Sequence, residues 1–307
     1  MVTTIAITGA TGFVGSTTLD AALEQGFTVR ALTRRKPTAR DGVEWVQGTL
    51  DDHAGLGQLV QGSDAVLHIA GLTNTPDPAE FEAANVIGTA NVIAAMKEEG
   101  TRRLVFVSSL SAREPGLSQY GASKARAEEL VAASALDWTT VRPPAVYGPR
   151  DVDMFELFRS ARMGIVPLPP GGGTSLIHAQ DLAELLVALA DTHGPKGLFQ
   201  SIFEPDDGRE GGWSHKEMAQ AIGRAVGRKG VFAPNLPAGV LSLAVRADRL
   251  LRGDKAKLTA DRVGYMCHPN WIARFDRAVP REIWEPKIDS EEGLKATAEW
   301  YRAEGWL

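Results

Sequence analysis

The segment Thr8-Gly9-Ala10-Thr11-Gly12-Phe13-Val14-Gly15 constrains the fold more than any other part of the chain. It joins a short β-branched run, Val2–Thr8, to a segment of helical spacing, Phe13–Gln25, that stops at Gly26. The spacing is GxxGxxG rather than GxGxxG, but the physics is shared. Gly9 permits the tight turn. Gly12 lets backbone approach a pyrophosphate. Gly15 lets the helix pack on the sheet, and the helix N-terminus favours phosphate charge. A ligand-free βα turn can also use glycines, but placement at the first junction of a βαβ unit favours the binding reading.

The rest of the first 150 residues keeps the alternation. Strand signals fall at Phe27–Thr33, Val43–Val46, Asp64–Ala70, Arg103–Ser108 and around Thr139–Val141. Helical signals fall at Leu56–Gln61, Asp77–Glu99 and Gln119–Ala133. Apolar strands alternating with helices imply a parallel sheet covered on both faces, so the expected class is α/β, a Rossmann-type doubly wound sheet. Beyond residue 150, glycine and proline cluster at Pro167–Gly173 and Asp206–Gly212, which marks loops. Helical segments follow at Ala179–Asp191, Ser214–Val226 and Ser290–Glu304. Tryptophans 271, 284, 300 and 306 crowd the end of the chain and read as packing anchors. The expected organisation is a dinucleotide-binding core over 1–165, with 175–192 returning to it, and a smaller mixed substrate lobe over most of 166–307.

The end of the second strand bears on which nicotinamide cofactor fits. An NAD site usually carries an acid about 20 residues past the glycines, bonded to the ribose 2′-hydroxyl. Here the strand ends Thr33-Arg34-Arg35-Lys36, and no acid lies between Glu24 and Asp41. Guanidinium groups bind a 2′-phosphate that an acid would repel. The reading is NADP ahead of NAD, with Arg34 the first contact and Arg35 the second. The bland alternative is a solvated basic loop.

Tyr120-Gly-Ala-Ser-Lys124 carries the chemistry. A spacing of four puts Tyr120 and Lys124 on one helix face. Tyrosine, with a pKa of about 10, is a poor acid or base at neutral pH, and a neighbouring ammonium is expected to lower it. Such a pair can move a proton to or from a carbonyl or hydroxyl oxygen while a hydride arrives or leaves. Upstream, an apolar strand runs into Ser108-Ser109-Leu110-Ser111, and ligands bind at strand C-terminal ends in open α/β sheets. A serine hydroxyl there can hold the substrate oxygen.

With these pieces the chain resembles an extended short-chain dehydrogenase/reductase of the NAD-dependent epimerase/dehydratase type. The matching segments are Thr8–Gly15, Asn85–Thr89, Val107–Ser109, Tyr120–Lys124, Arg142–Pro149 and Ile177–Leu182, in the family's order from residue 2 to about 190. The resemblance implies that Tyr120 is the general acid/base, that Lys124 binds the nicotinamide ribose and tunes Tyr120, and that Ser109 polarises the substrate oxygen. It implies cofactor contacts from Gly9, Thr11, Gly12, Phe13 and Val14 on the pyrophosphate, and from Thr33, Arg34 and Arg35 at the adenosine ribose end. Thr49 and Leu50 would lie by adenine, Ala70 and Gly71 by its ribose, and Ser108, Pro143 and Val146 on the nicotinamide side. Ser111, Leu72, Tyr147 and His178 are the substrate-side candidates.

Three departures narrow the reading. Thr49 stands where members often carry an adenine-binding Asp. Leu110-Ser111 follows Ser109 where sugar dehydratases carry Asp-Glu, which argues against dehydration. Ala145 replaces an Asn that helps many epimerases hold a sugar diphosphate, which tilts the substrate toward a smaller or more apolar carbonyl or alcohol.

Composition removes other classes. A net charge of −5 argues against nucleic acid. Cys267 is the lone cysteine, which excludes an intramolecular disulfide and a multi-cysteine zinc site. The six histidines contain no HxxxH pair, so no metal is expected. No apolar run reaches the roughly 18 residues of a membrane span, and no signal-peptide pattern opens the chain, so the expected location is cytoplasmic. Among other polar residues, His68 reads as a satisfied core histidine. Asn85 reads as a backbone anchor near the cofactor loop or a packing residue. His178 reads chiefly as a lobe-junction histidine, Asp181 as a first-turn acid, and Arg102-Arg103 as solvated.

The expected activity is NADP-dependent hydride transfer to or from a small or apolar carbonyl or alcohol, with Tyr120 as acid/base. The alternative is an NAD(P)-dependent sugar or nucleotide-sugar epimerase working through a keto intermediate. A non-catalytic NADP-binding sensor or assembly protein is the second alternative. A homodimer through the helices near Asp77–Glu99 and Gln119–Ala133 is a family expectation, although Val86, Ile93 and Leu130 on those helices also suit packing on the sheet.

Overall fold

The computed structural model describes residues 3–35, 37–190, 198–253 and 258–307. Val2 of the first strand, Lys36 of the basic turn and residues 191–192 of the returning segment lie outside the described residues. The strands are β1 Thr4–Thr8, β2 Thr28–Thr33, β3 Val43–Gln47, β4 Ala65–His68, β5 Arg103–Val107, β6 Asp137–Val141, β7 Ala145–Tyr147, β8 Gly173–Thr174, β9 Leu176–His178, β10 Ser201–Phe203, β11 Trp213–Ser214 and β12 Asn270–Trp271. Seven of them form one parallel sheet in the order β10-β6-β5-β4-β1-β2-β3. This is the doubly wound order, with its reversal between β1 and β4.

Strand alternation sorts the core into two layers. Ile5, Ile7, Val29, Ala31, Val105 and Val107 face one side, where helices α1 (Phe13–Glu24) and α7 (Ala179–Leu189) pack. Ala6, Leu32, Val66, Leu104 and Phe106 face the other, under α2 (His53–Val60), α4 (Gly88–Glu99) and α5 (Gln119–Ala132). Ile93 and Leu130 belong to this second layer, so sheet packing already occupies them. Helix α7 brings Leu182, Leu185, Leu186 and Leu189 into the same cluster as β1, and Trp284 from near the chain end joins it.

The segment after β4 is not one continuous helix. A short α3 (Pro78–Phe81) runs into a π-helical turn, Glu82–Ile87, before α4 resumes the α-helix. A π-turn adds a residue to the turn and shifts the side chains beyond it. It sits where Asn85 reaches back to the β4 loop.

The remaining cluster gathers Phe158 of α6 (Phe155–Arg162), Met218 and Ile222 of α8 (His215–Ala225), and Leu294 and Tyr301 of α11 (Ser290–Ala303). Two small sheets, β7-β9 and β11-β8-β12, stand apart from the main one. Helices α9 (Ala238–Arg252) and α10 (Ala260–Met266) complete the described elements of this part.

Two expectations need correction. Arg103 is buried rather than solvated: its guanidinium donates to Leu189 O at 2.9 Å, Asp137 O at 2.8 Å and Thr139 Oγ1 at 2.8 Å. It ties β5 and β6 to the end of α7. Tyr147 is fully buried in the third cluster, its hydroxyl donating to Ser290 O at 3.5 Å and its ring edge-on to His178. In this structure it has no surface to offer a substrate.

Candidate active site

The loops that leave the C-terminal edge of the sheet hold the anticipated residues. At the first, Gly9 has φ +77°, and a Cβ there would lie 2.7 Å from Ala70 N. Only glycine lets this turn rest against the end of β4. A Cβ on Gly15 would lie 2.0 Å from Gly9 O, so α1 sits directly on the turn. Thr11 and Gly12 are exposed, Phe13 and Val14 half-buried. Helix α1 starts at Gly12 with no side-chain cap and no first-turn acid, whereas Asp52, Ser118 and Ser214 cap α2, α5 and α8. Uncapped first-turn amides beside a glycine cradle suit a pyrophosphate.

Beyond β2, the Thr33 hydroxyl donates to Arg35 O at 2.6 Å and shapes the turn. Arg34 and Arg35 are exposed, and among the described residues neither is paired with a carboxylate. Beyond β3, the Thr49 hydroxyl bonds Asp51, and the Leu50 side chain packs on Gly88 of α4, where a Cβ would come within 2.7 Å.

A buried histidine sets the end of β4. The Thr89 hydroxyl donates to Asn85 O at 2.6 Å, so it accepts from His68 Nε2 at 3.0 Å. Nδ1 is then bare and accepts from Thr8 Oγ1 at 2.7 Å, while that oxygen accepts from Ala70 N at 3.2 Å. Burial, with Lys124 nearby, pushes His68 down to about 3, so the neutral ring locks β1, β4 and α4 together. Asn85 anchors the next loop: Leu72 N donates to its Oδ1 at 2.7 Å, and its Nδ2 donates to Leu72 O and Ser123 Oγ, each at 2.9 Å.

Helix α5 presents Tyr120 and Lys124. The Tyr120 side chain lies beside Ser109, which caps the short 3-10 turn Leu110–Arg113 by accepting from Ser111 N at 3.2 Å. The Lys124 ammonium donates to Val107 O at 2.9 Å and stands 3.0 Å from where a Cβ on the exposed Gly71 would be. Burial lowers Lys124 to about 8, against the opposing pull of Glu128. Tyr120 behaves contrary to the simple pair argument. Burial raises its pKa; Ser109 opposes that, and Tyr265 and Asp153 add to it. The Lys124 ammonium is turned to the Val107 carbonyl, and burial favours the neutral phenol.

The other anticipated residues separate. Pro143 is buried and its carbonyl accepts from Leu110 N at 3.1 Å, while Val146 lies half-buried against the core. The Ser108 hydroxyl points away from the cleft, to Glu128 of the Glu128–Arg142 ion pair. Ser111 is buried and acts through its amide. His178 caps α7, its Nδ1 accepting from Gln180 N at 3.1 Å, and burial lowers it to about 4. Asp181 accepts from Lys287 N and Ile288 N, each at 3.1 Å, and joins α7 to the C-terminal segment.

The sequence reading missed what faces Tyr120. Phe81 stands 5.9 Å away, centroid to centroid, and Tyr265 of α10 stands 6.0 Å away. Arg262 pairs with Asp153 at 3.0 Å beside them. No local motif marks these residues.

A family model described as NAD(P)H-binding matches residues 9–193. The ceramide reductase of Caulobacter vibrioides is 32% identical over 99% of this chain and 96% of its own length. The 2-alkyl-3-oxoalkanoate reductase of Stenotrophomonas maltophilia is 30% identical over 95% of this chain and 97% of its own. A solved structure titled MoeE5 in complex with UDP-glucose and NAD shares the fold, with a TM-score of 0.73 at 21% identity over 98% of this chain and 99% of that one.

Proposed function

The chain belongs to the NAD(P)H-binding family, as an NAD(P)-dependent enzyme of the extended short-chain dehydrogenase/reductase type, and from that premise we propose that it is an NADP-dependent reductase of apolar, alkyl-bearing ketones. The observation that carries the reading is the buried Tyr120 phenol with Ser109 beside it, one turn from Lys124, whose ammonium borders the exposed Gly71. Two relatives matched along nearly their whole length bear reductase names, one on ceramide and one on 2-alkyl-3-oxoalkanoates. Arg34 and Arg35, exposed beyond β2, support NADP over NAD.

A bound nicotinamide supplies the hydride. The protein's own residues do the rest. The amides of Phe13 and Val14 would hold the pyrophosphate, since the Gly12 amide already donates to Gly9 O, and Lys124 would reach the ribose across Gly71. The Ser109 and Tyr120 hydroxyls hold the substrate oxygen, and Tyr120 gives it a proton. Donors preorganised toward a developing alkoxide supply much of the rate in such sites.

Following NADPH consumption with alkyl ketones tests this. Tyr120→Phe is expected to cut kcat by about 10²–10⁴, the worth of a positioned acid, while NADPH still binds. Arg34→Ala is expected to weaken NADPH and leave NADH unchanged. Cofactor that copurifies tightly with no net turnover would overturn the reading in favour of an epimerase.

A further inference from the structure

Helix α10 reaches the site from a part of the chain far from it in sequence, and it does so through named contacts. The Asp261 carboxylate accepts from Gln119 N at 2.5 Å and Tyr120 N at 3.2 Å, the first two amides of α5. Ser118 accepts from Gly121 N at 2.9 Å, so the two side chains together cap this end of α5. A carboxylate at a helix N-terminus also gains from the helix dipole. Gly264 lies so close to the turn before α5 that a Cβ would fall 2.3 Å from Leu117 O. Thr259 donates to Asn74 Oδ1 at 3.1 Å beyond β4, and Arg262 holds Asp153 beyond β7. Helix α10 therefore spans the loops after β4, β5 and β7. The carbonyl of Tyr265 is held by Trp271 Nε1 at 2.8 Å, and its ring lies 6.0 Å from that of Tyr120.

We propose that α10 sets the substrate specificity of this site: Asp261 fixes the helix onto the first turn of α5, and Tyr265 is the wall that an alkyl chain meets beside Tyr120. Asp261 is a positioning residue, and Tyr265 discriminates among substrates. The inference rests on the ketone-reductase reading.

Linear methyl ketones of increasing chain length, with NADPH, are the probe. Tyr265→Ala is expected to change the ratio of kcat/KM between long and short ketones by about tenfold or more, the scale of an altered apolar contact, without changing NADPH affinity. Tyr265→Phe keeps the ring and is expected to keep the ratio. An unchanged ratio in Tyr265→Ala overturns the specificity role. Amide hydrogen exchange reads the docking without turnover. Asp261→Ala is expected to speed exchange at Gln119 and Tyr120 about tenfold or more, and Asp261→Asn, which can still accept one bond, to restore part of the protection. Exchange in Asp261→Ala equal to wild type overturns the docking role. Tyr120→Phe, assayed in parallel, separates the two failures. Full activity there sinks the reductase reading, while loss there with an unchanged Tyr265→Ala ratio sinks only this inference.

Discussion

Lys124 shows how one buried amine divides its work. Its ammonium is paired with the Val107 carbonyl and borders Gly71, and desolvation brings it down to about 8. Above that value the free enzyme loses the charge that would meet the ribose. Tyr120 has been raised by burial, so it stays protonated through the same range. The value of kcat/KM for NADPH reports the free enzyme, and it is expected to fall as pH rises through about 8. Lys124→Arg should move the fall to higher pH, because a guanidinium stays charged. A fall that remains near 8 in that variant would assign it to another group. The four-residue spacing of Tyr120 and Lys124 was legible in the sequence. The direction of the ammonium was not, because it depends on a carbonyl at the end of β5.

At the scale of elements, the glycine turn and the strand pattern were readable because their causes are local. Gly9 and Gly15 are required by contacts within one turn and the neighbouring strand end. Gly15→Ala is expected to destabilise the fold by about 1–3 kcal/mol, the usual cost of overpacking, and to weaken NADPH binding, since the new methyl must displace the Gly9 carbonyl. Thermal unfolding with and without NADPH checks both, and unchanged values would mean α1 can retreat from the turn. The π-turn at Glu82–Ile87 was not readable from spacing. Its extra residue accompanies the grip of Asn85 on both polar groups of Leu72, a partner 13 residues away. Arg103 misled for a related reason. A basic pair before a strand looks solvated until α7, 86 residues on, supplies the Leu189 carbonyl.

At the scale of the molecule, one buried carboxylate joins what the linear sequence separates. Glu204 directly follows β10 and has a fully buried side chain. It pairs with Arg113 after β5 at 3.1 Å and Arg142 after β6 at 3.4 Å, and it accepts from Arg274 N at 3.0 Å. Arg113 also donates to Ile272 O and Asn270 O, beside the strand β12 that closes the small sheet. Arg142 is held a second time by Glu128 of α5, the helix that carries Tyr120. The main sheet and the C-terminal segment are thus tied through a single charge network as well as through Trp284. Breaking a buried pair by removing one partner costs about 3–5 kcal/mol, because the charge left behind stays desolvated. Glu204→Gln should sit near the lower end, since Arg142 keeps Glu128. The expected result in urea is a lower midpoint, with an unchanged slope and one transition for the whole chain. Two separate transitions in the wild type would mean that the lobes are thermodynamically independent and that Glu204 serves only its own corner.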